Sequence, residues 1–247
     1  MFSLEIQCAP EERDLLIADL WEFGSEGMVE LANGVRAFFP DDADGTTLAA
    51  RFPDAARRIE ENRDWVQSAR DLLQPMEVGE RFFLVPDWRD DATPAGRFRI
   101  TINPGMAFGT GVHETTQLAI EALERYVSPG MRVLDVGTGS GILAQVARRL
   151  GAAAIYACDI DPVAVEIAGQ GFIGSVDAVR SSVADLVIAN ISPEAVVALA
   201  SNLMRVLKPG GVLLASGFEL HEIDTVRSAL PPAREIRTKG NWALLAV

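Results

Sequence analysis

Val133-Leu134-Asp135-Val136-Gly137-Thr138-Gly139-Ser140-Gly141-Ile142-Leu143 sets three alternating glycines directly after an apolar run that contains one carboxylate. A bare backbone at a strand end lets a ligand lie close to the main chain, where any Cβ would collide. A phosphate-cradling loop would close its glycine run with Lys and then Ser or Thr, and Ile142-Leu143 stand there instead. A dinucleotide fingerprint reads G-x-G-x-x-G, whereas this run reads G-x-G-x-G. The next strand-like run, "AIYACDI", ends on Asp159 with Asp161 close behind. So much negative charge favours a ligand with cationic groups over a diphosphate.

Working outward from the glycines, strand-like runs alternate with helical stretches from residue 104 onward. The strands are "RVLDV", "AIYACDI", "FIGSV", "DLVIANI", "GVLLASG", "REIRT" and "WALLAV"; the early ones are separated by helical stretches at 141–150, 162–169 and 194–206. Apolar strands alternating with helices predict an α/β fold, a Rossmann-like, doubly wound, mostly parallel seven-stranded sheet. Ligands of such sheets bind at the carboxyl ends of the strands, where Gly137, Asp159 and Asn190 all fall. S-adenosylmethionine, with a sulfonium, an ammonium and a ribose diol, suits that crevice. Asp159 can accept both ribose hydroxyls, and Gly137 and Gly139 leave room under the methionine portion. Asp135 either anchors the loop or meets the ammonium through water. A tight strand–helix turn with no ligand is the plainer alternative.

Ahead of this lies a differently organised region. "SLEIQC" alternates like a strand, Pro10 opens a helical run, and Asn33-Gly34 sits between two strand-like runs as a hairpin signal. A charged helical stretch is expected from Thr46 to Leu73. The order βαββα predicts a small α+β, ferredoxin-like module over residues 1–73. Residues 74–103 read as a linker with a hairpin, "GERFFLVPDW" and "GRFRITI" around "RDDATPAG", and residues 104–247 as the ligand-binding domain.

Composition bounds the rest. The formal net charge is −13, and nothing like a basic stripe appears, which argues against direct contact with nucleic acid. The acidity suits either a basic protein partner or simple solubility. No run approaches the about 18 apolar residues of a membrane span, and the start lacks the features of a secretory signal. The 2 cysteines, Cys8 and Cys158, lie far apart and outside any zinc-like spacing. Neither a metal nor a disulfide is expected, and a cytoplasmic location is.

The motifs also carry a resemblance. "VLDVGTGSGILAQVA" and "CDIDP" resemble the first two motifs of class I S-adenosylmethionine-dependent methyltransferases. "NPGMAFGTGVHETT" (103–116), "DLVIANIS" (185–192) and "DWVQSARDLLQPMEVGERFFLVPDW" (64–88) resemble segments of the PrmA family, which methylates ribosomal protein L11. The resemblance covers about residues 64–192, and the βαββα start agrees with that family's substrate-recognition domain. It implies cofactor contacts at Thr116, Gly137, Asp159 with its neighbour Ile160, and Asn190. It also implies a loop over the cofactor from Phe108, Gly109, Thr110, Gly111 and His113. Three places depart from the family's pattern: Asn103 stands before Pro-Gly where the family has Asp, the loop reads Val112-His113-Glu114-Thr115-Thr116, and only a short segment separates "FIGSV" from "DLVIANI", where the adenine wall belongs.

The chemistry so implied is transfer of a methyl group to an amino group, a lysine or an N-terminal amine. Asn190 is the candidate for orienting the amine; its alternative is a strand-end cap before Ser192-Pro193. His113 is a proton acceptor or a hydrogen-bonded loop residue, and Phe108 a lid or a buried anchor. Asp177 either reaches the adenine amine or is a solvated loop carboxylate. His221, both cysteines and the dispersed Trp21, Trp65, Trp88 and Trp242 read as structural. The expected acceptor is ribosomal protein L11. Another protein lysine, a small amine, or a binding module that retains the cofactor without turnover are the alternatives.

Overall fold

Period-two alternation in Phe2–Gln7 puts Phe2 and Leu4 on one face, and that face seeds the first of two cores. The computed structural model describes residues 1–9, 13–31, 33–59, 74–102, 113–169 and 171–247. The chain forms two units, Met1–Leu72 and Leu73–Val247. In the first, β1 (Phe2–Gln7), α1 (Arg13–Glu22), β2 (Gly27–Leu31), β3 (Gly34–Phe39), α2 (Gly45–Arg51) and β4 (Ala56–Ile59) follow in order. Their sheet runs β2-β3-β1-β4 and is antiparallel throughout. This is the strand order of a ferredoxin-like module. Leu20, Val35, Ala37, Phe39, Leu48 and Phe52 complete its core.

The expected hairpin forms, with Leu31 opposite Gly34. Gly34 serves close approach as well: a Cβ there would lie 2.1 Å from the Ile6 carbonyl oxygen on β1. The long helix expected from Thr46 to Leu73 is corrected. Asp44 caps α2 by accepting from the Thr46 and Thr47 amides at 3.0 and 3.2 Å, and the helix stops at Arg51. Pro53 disfavours helical backbone at Phe52, and the chain turns into β4; residues 60–73 lie outside the described ones. β4 is exposed along its whole length, so no alternation betrayed it.

In the second unit β5 (Met76–Val78), β6 (Phe82–Pro86) and β7 (Phe98–Ile102) form a three-stranded sheet. β6 and β7 run parallel, Phe82 opposite Phe98 and Pro86 opposite Ile102, so the hairpin expected there is corrected too. The polar stretch between them is a crossover held by Arg99, which donates to the Asp91 and Arg89 carbonyls at 2.6 and 2.8 Å. Nor is this stretch a separate linker: Phe82, Leu84, Ile100 and Ile102 belong to one of the unit's own cores.

The main sheet runs β10-β9-β8-β11-β12-β14-β13. Its strands are β8 (Arg132–Val136), β9 (Ala154–Asp159), β10 (Phe172–Ile173), β11 (Ala184–Asn190), β12 (Leu207–Glu219), β13 (Glu235–Lys239) and β14 (Trp242–Ala246). All pairs are parallel except the two that β14 makes, with β12 and with β13. The helices are α3 (Glu114–Tyr126), α4 (Ile142–Arg149), α5 (Pro162–Ala168), α6 (Pro193–Val206) and α7 (Ile223–Ala229). Along β11, Leu186 and Ile188 join a core with α3 and α4, while Val187 and Ala189 join the opposite core with α6. Burial on both faces is why these strands read as continuous apolar runs. The strand order reverses between β8 and β11, and a crevice opens at their carboxyl ends.

Candidate active site

Past Val136 the chain turns through Gly137, Gly139 and Gly141, with φ of 71°, 51° and 75°, a left-handed region that favours glycine. A Cβ on Gly137 would also meet Ile191 Cγ2 at 2.3 Å. The loop is fastened to β9: the Gly137 and Thr138 amides donate to the Cys158 carbonyl at 2.9 and 3.1 Å. Cys158 itself is fully buried, and burial, aided by the Asp135 charge, pushes its thiol up to about 12.

Asp159 follows. Its Oδ2 accepts from the Gly139 amide at 2.9 Å and its Oδ1 from the Asp161 amide at 3.0 Å. Two amides thus fix a carboxylate that has further lone pairs to offer. Asp161 caps α5 through the Val163 amide at 2.8 Å. Ile160, 79% exposed, leaves a bare apolar surface at the rim.

Of the two roles open to Asp135, the structure displays the anchor. Its Oδ2 accepts from Thr138 Oγ1 at 2.8 Å beneath the loop. Burial raises its carboxyl to about 7; the Thr138 hydroxyl and the Ala144 amide oppose that shift, and the charge of Asp159 adds to it.

These groups border a cavity of ≈ 460 Å³. Asn190, at the end of β11, faces it, and its Oδ1 is buried with no hydrogen-bond partner. The strand-end cap is Ser192, whose hydroxyl accepts from the Ala195 amide at 3.3 Å and starts α6. Thr116 reaches the cavity from the first turn of α3, and its Oγ1 is likewise buried and unpartnered. Buried polar atoms left without partners are uncommon, and two that line one cavity mark a place for a polar ligand.

His113 lines the cavity as the N-cap of α3. Its Nδ1 accepts from the Thr115 amide at 3.3 Å and lies 2.8 Å from Thr115 Oγ1. The ring meets Trp242 edge-on, centroids 4.5 Å apart. Phe108, Gly109, Thr110 and Gly111 lie outside the described residues. Asp177 is exposed, accepts from the Ala178 amide at 3.0 Å and is not among the lining residues.

Several lining residues were missed by sequence reasoning. Trp242 opens β14 and, because that strand is reversed, its first residue sits opposite Glu219 at the carboxyl end of β12. An aromatic at the head of a small aliphatic strand, "WALLAV", was the available signal. Gly174 and Ser175 follow the two-residue β10; Ile191, Ala195 and Leu199 come from α6 and the turn before it, and Gly217 from β12. Gly217 has φ of 100°, and a Cβ there would lie 2.2 Å from the Ile191 carbonyl oxygen.

The site suits S-adenosylmethionine. The glycine cradle excludes side chains, the carboxylate of Asp159 is aimed by the loop, and Thr116 and Asn190 offer unused polar atoms. Among the described residues no group of three His, Cys, Asp or Glu is placed to hold a metal.

Residues 42–246 match the family described as "Ribosomal protein L11 methyltransferase (PrmA)". The chain belongs to that family. A relative from Symbiobacterium thermophilum, named ribosomal protein L11 methyltransferase, is 41% identical over 84% of this chain and 73% of its own length. One of the same name from Deinococcus radiodurans is 34% identical over 92% of this chain and 91% of its own. A crystal structure of ribosomal protein L11 methylase from Lactobacillus delbrueckii subsp. bulgaricus is 30% identical. It superposes with a TM-score of 0.65 over 70% of this chain and 97% of its own. The chain is therefore an S-adenosylmethionine-dependent methyltransferase.

Proposed function

We propose that the enzyme methylates amino groups, lysine side chains or the N-terminal amine, of ribosomal protein L11 in the cytoplasm. The observation that carries this reading is Asn190: a buried side-chain oxygen with no partner, in the cavity, at the end of the strand beside the glycine loop. Its carbonyl oxygen can accept an amine N–H, which turns the nitrogen lone pair away from the protein and toward the cavity. When bound, S-adenosylmethionine supplies an electrophilic methyl carbon on a sulfonium. A lysine amine titrates at about 10.4 in water, and the apolar wall of Leu199, Ile191 and Trp242 favours its neutral form by displacing water. Asn190 then contributes alignment, and holding two reactants in attack geometry supplies about 7–11 kcal/mol. Thr116 and Asp159 are the residues that hold the cofactor's polar groups.

The net charge of −13 supports a basic protein as the partner and argues against direct nucleic-acid contact. No helix among the described residues is long and apolar enough to cross a membrane. Incubation with methyl-labelled cofactor and a mixture of purified ribosomal proteins tests the reading. The expected result is label in L11. Label in another protein, with L11 left clean, removes the substrate assignment and keeps the chemistry; no label in any acceptor removes both.

A further inference from the structure

The short segment after β10 has no helix to stiffen it. It runs through a single 3-10 turn at Val176–Ala178 and reaches Ser182, whose φ of 54° is the left-handed region that non-glycine residues avoid. Yet Gly174 and Ser175, at its head, line the cavity beside Asp159, and the Gly174 amide donates to the Asp159 carbonyl at 2.8 Å.

What holds this wall is Arg205, in the last turn of α6. One guanidinium nitrogen donates to the Val179 carbonyl and Ser181 hydroxyl at 2.8 and 3.2 Å, and the other to the Val176 and Asp177 carbonyls at 3.2 Å each. Nε donates to Asn202 Oδ1 at 3.0 Å, which fixes the plane of the fork. All five N–H donors of the side chain are then in use. The main chain adds to this, since the Arg205 carbonyl accepts from the Ser182 amide at 3.1 Å. Val176 is fully buried under the same turn. Beyond the main-chain bonds, the turn that follows Gly174 and Ser175 is thus tied by one side chain at the far end of the helix whose first turns also line the cavity.

We propose that Arg205 is a positioning residue for the nucleoside half of the cofactor: it sets the wall that faces Asp159 and Ile160. The proposal rests on the cofactor assignment and is independent of the acceptor. Calorimetric titration with S-adenosylhomocysteine and with 5′-methylthioadenosine, which has the nucleoside half only, tests it on the wild type, R205A and R205K. Binding is measured well below each variant's melting temperature, and steady-state kinetics accompany it.

R205A is expected to bind both ligands about tenfold more weakly, by the same factor for each, as for the loss of one good charge-assisted contact. Turnover at saturating cofactor and KM for the acceptor stay near the wild-type values. R205K, with at most three donors and no fork, falls between. Wild-type affinity in a folded R205A overturns the proposal, as does a loss confined to S-adenosylhomocysteine. Should R205A not fold, R205K decides: wild-type affinity for 5′-methylthioadenosine in that variant sinks the idea. A wild-type enzyme that binds neither ligand overturns the cofactor assignment itself, a different failure.

Discussion

The two sides of the cavity are built by different means. On the β8–β9 side the main chain does most of the contact: three left-handed glycines, two amides on Cys158 and one on Asp159. On the far side the surface is made of side chains, Asn190, Ile191, Leu199 and Trp242, that two strands, a turn and a helix bring together. The first side is a contiguous piece of sequence; the second exists only once the sheet has formed. The difference teaches a division of labour. Under the proposed function, the main-chain cradle fixes where the cofactor lies, and side chains from several elements decide what is done with it.

If that division is real, turnover and affinity should separate by side. The largest effect is expected on the far side. Asn190→Ala should lower kcat by about 100-fold or more, the scale of a misplaced reacting group, while cofactor affinity changes only a few-fold. Rapid-quench turnover beside calorimetry checks it, and equal losses in both would erase the distinction. On the cradle side Asp159→Ala should weaken S-adenosylhomocysteine binding by about 10–100-fold, because hydrogen bonds to a charged partner are lost along with the acceptor for the Gly139 amide. Were kcat at saturating cofactor to fall as steeply, Asp159 would belong to the chemistry rather than to the cradle.

Asp135, under the cradle, gives a smaller effect that depends on pH. Its carboxyl holds a proton up to about pH 7 in the folded chain, against the ordinary 3.8. Between those values the folded state binds more protons than the unfolded one, so stability falls as pH rises through that window. Above it the buried charge costs on the order of a few kcal/mol. Asp135→Asn removes the charge, so melting of the variant should gain on the wild type between pH 5 and pH 8. A constant difference at both values would mean that the carboxyl is already ionised at pH 5. The smallest effect belongs to the α6 cap: Ser192→Ala should cost about 1 kcal/mol, or roughly 2–4 °C in melting temperature for a unit of this size.

Much of the cradle was legible in the sequence because each of its requirements is local. A left-handed turn needs glycine, a helix start needs an acceptor such as Asp161, and strands buried on both faces need continuous apolar runs. Sequence also placed Asn190 and Asp159 at strand ends that converge. The failures came where non-local structure decided the outcome. β4, exposed along its length, has no hydrophobic alternation, and Arg51 to Ile59 read as more helix until Pro53 is given its weight. "RDDATPAG" has the polarity of a tight turn, and only the parallel pairing of β6 with β7 shows it to be a crossover. Trp242 packs against the core as expected, but its second place, by the cavity, follows from the reversal of one strand. Of the two roles open to His113, proton acceptor or hydrogen-bonded loop residue, the structure displays the hydrogen-bonded one, at the helix cap and against that tryptophan. Arg205 carried no signal at all, since three of its partners are main-chain carbonyls 26, 28 and 29 positions upstream.

Cys158 turns the cradle into its own reporter. A thiol sealed under the glycine loop and held protonated far above neutrality gives alkylating reagents no thiolate to attack. Its modification must wait for the sheet to part from the loop. The rate at which an iodoacetamide-type reagent captures this one sulfur therefore clocks the opening of the second unit, and a ligand that closes the crevice should slow that clock.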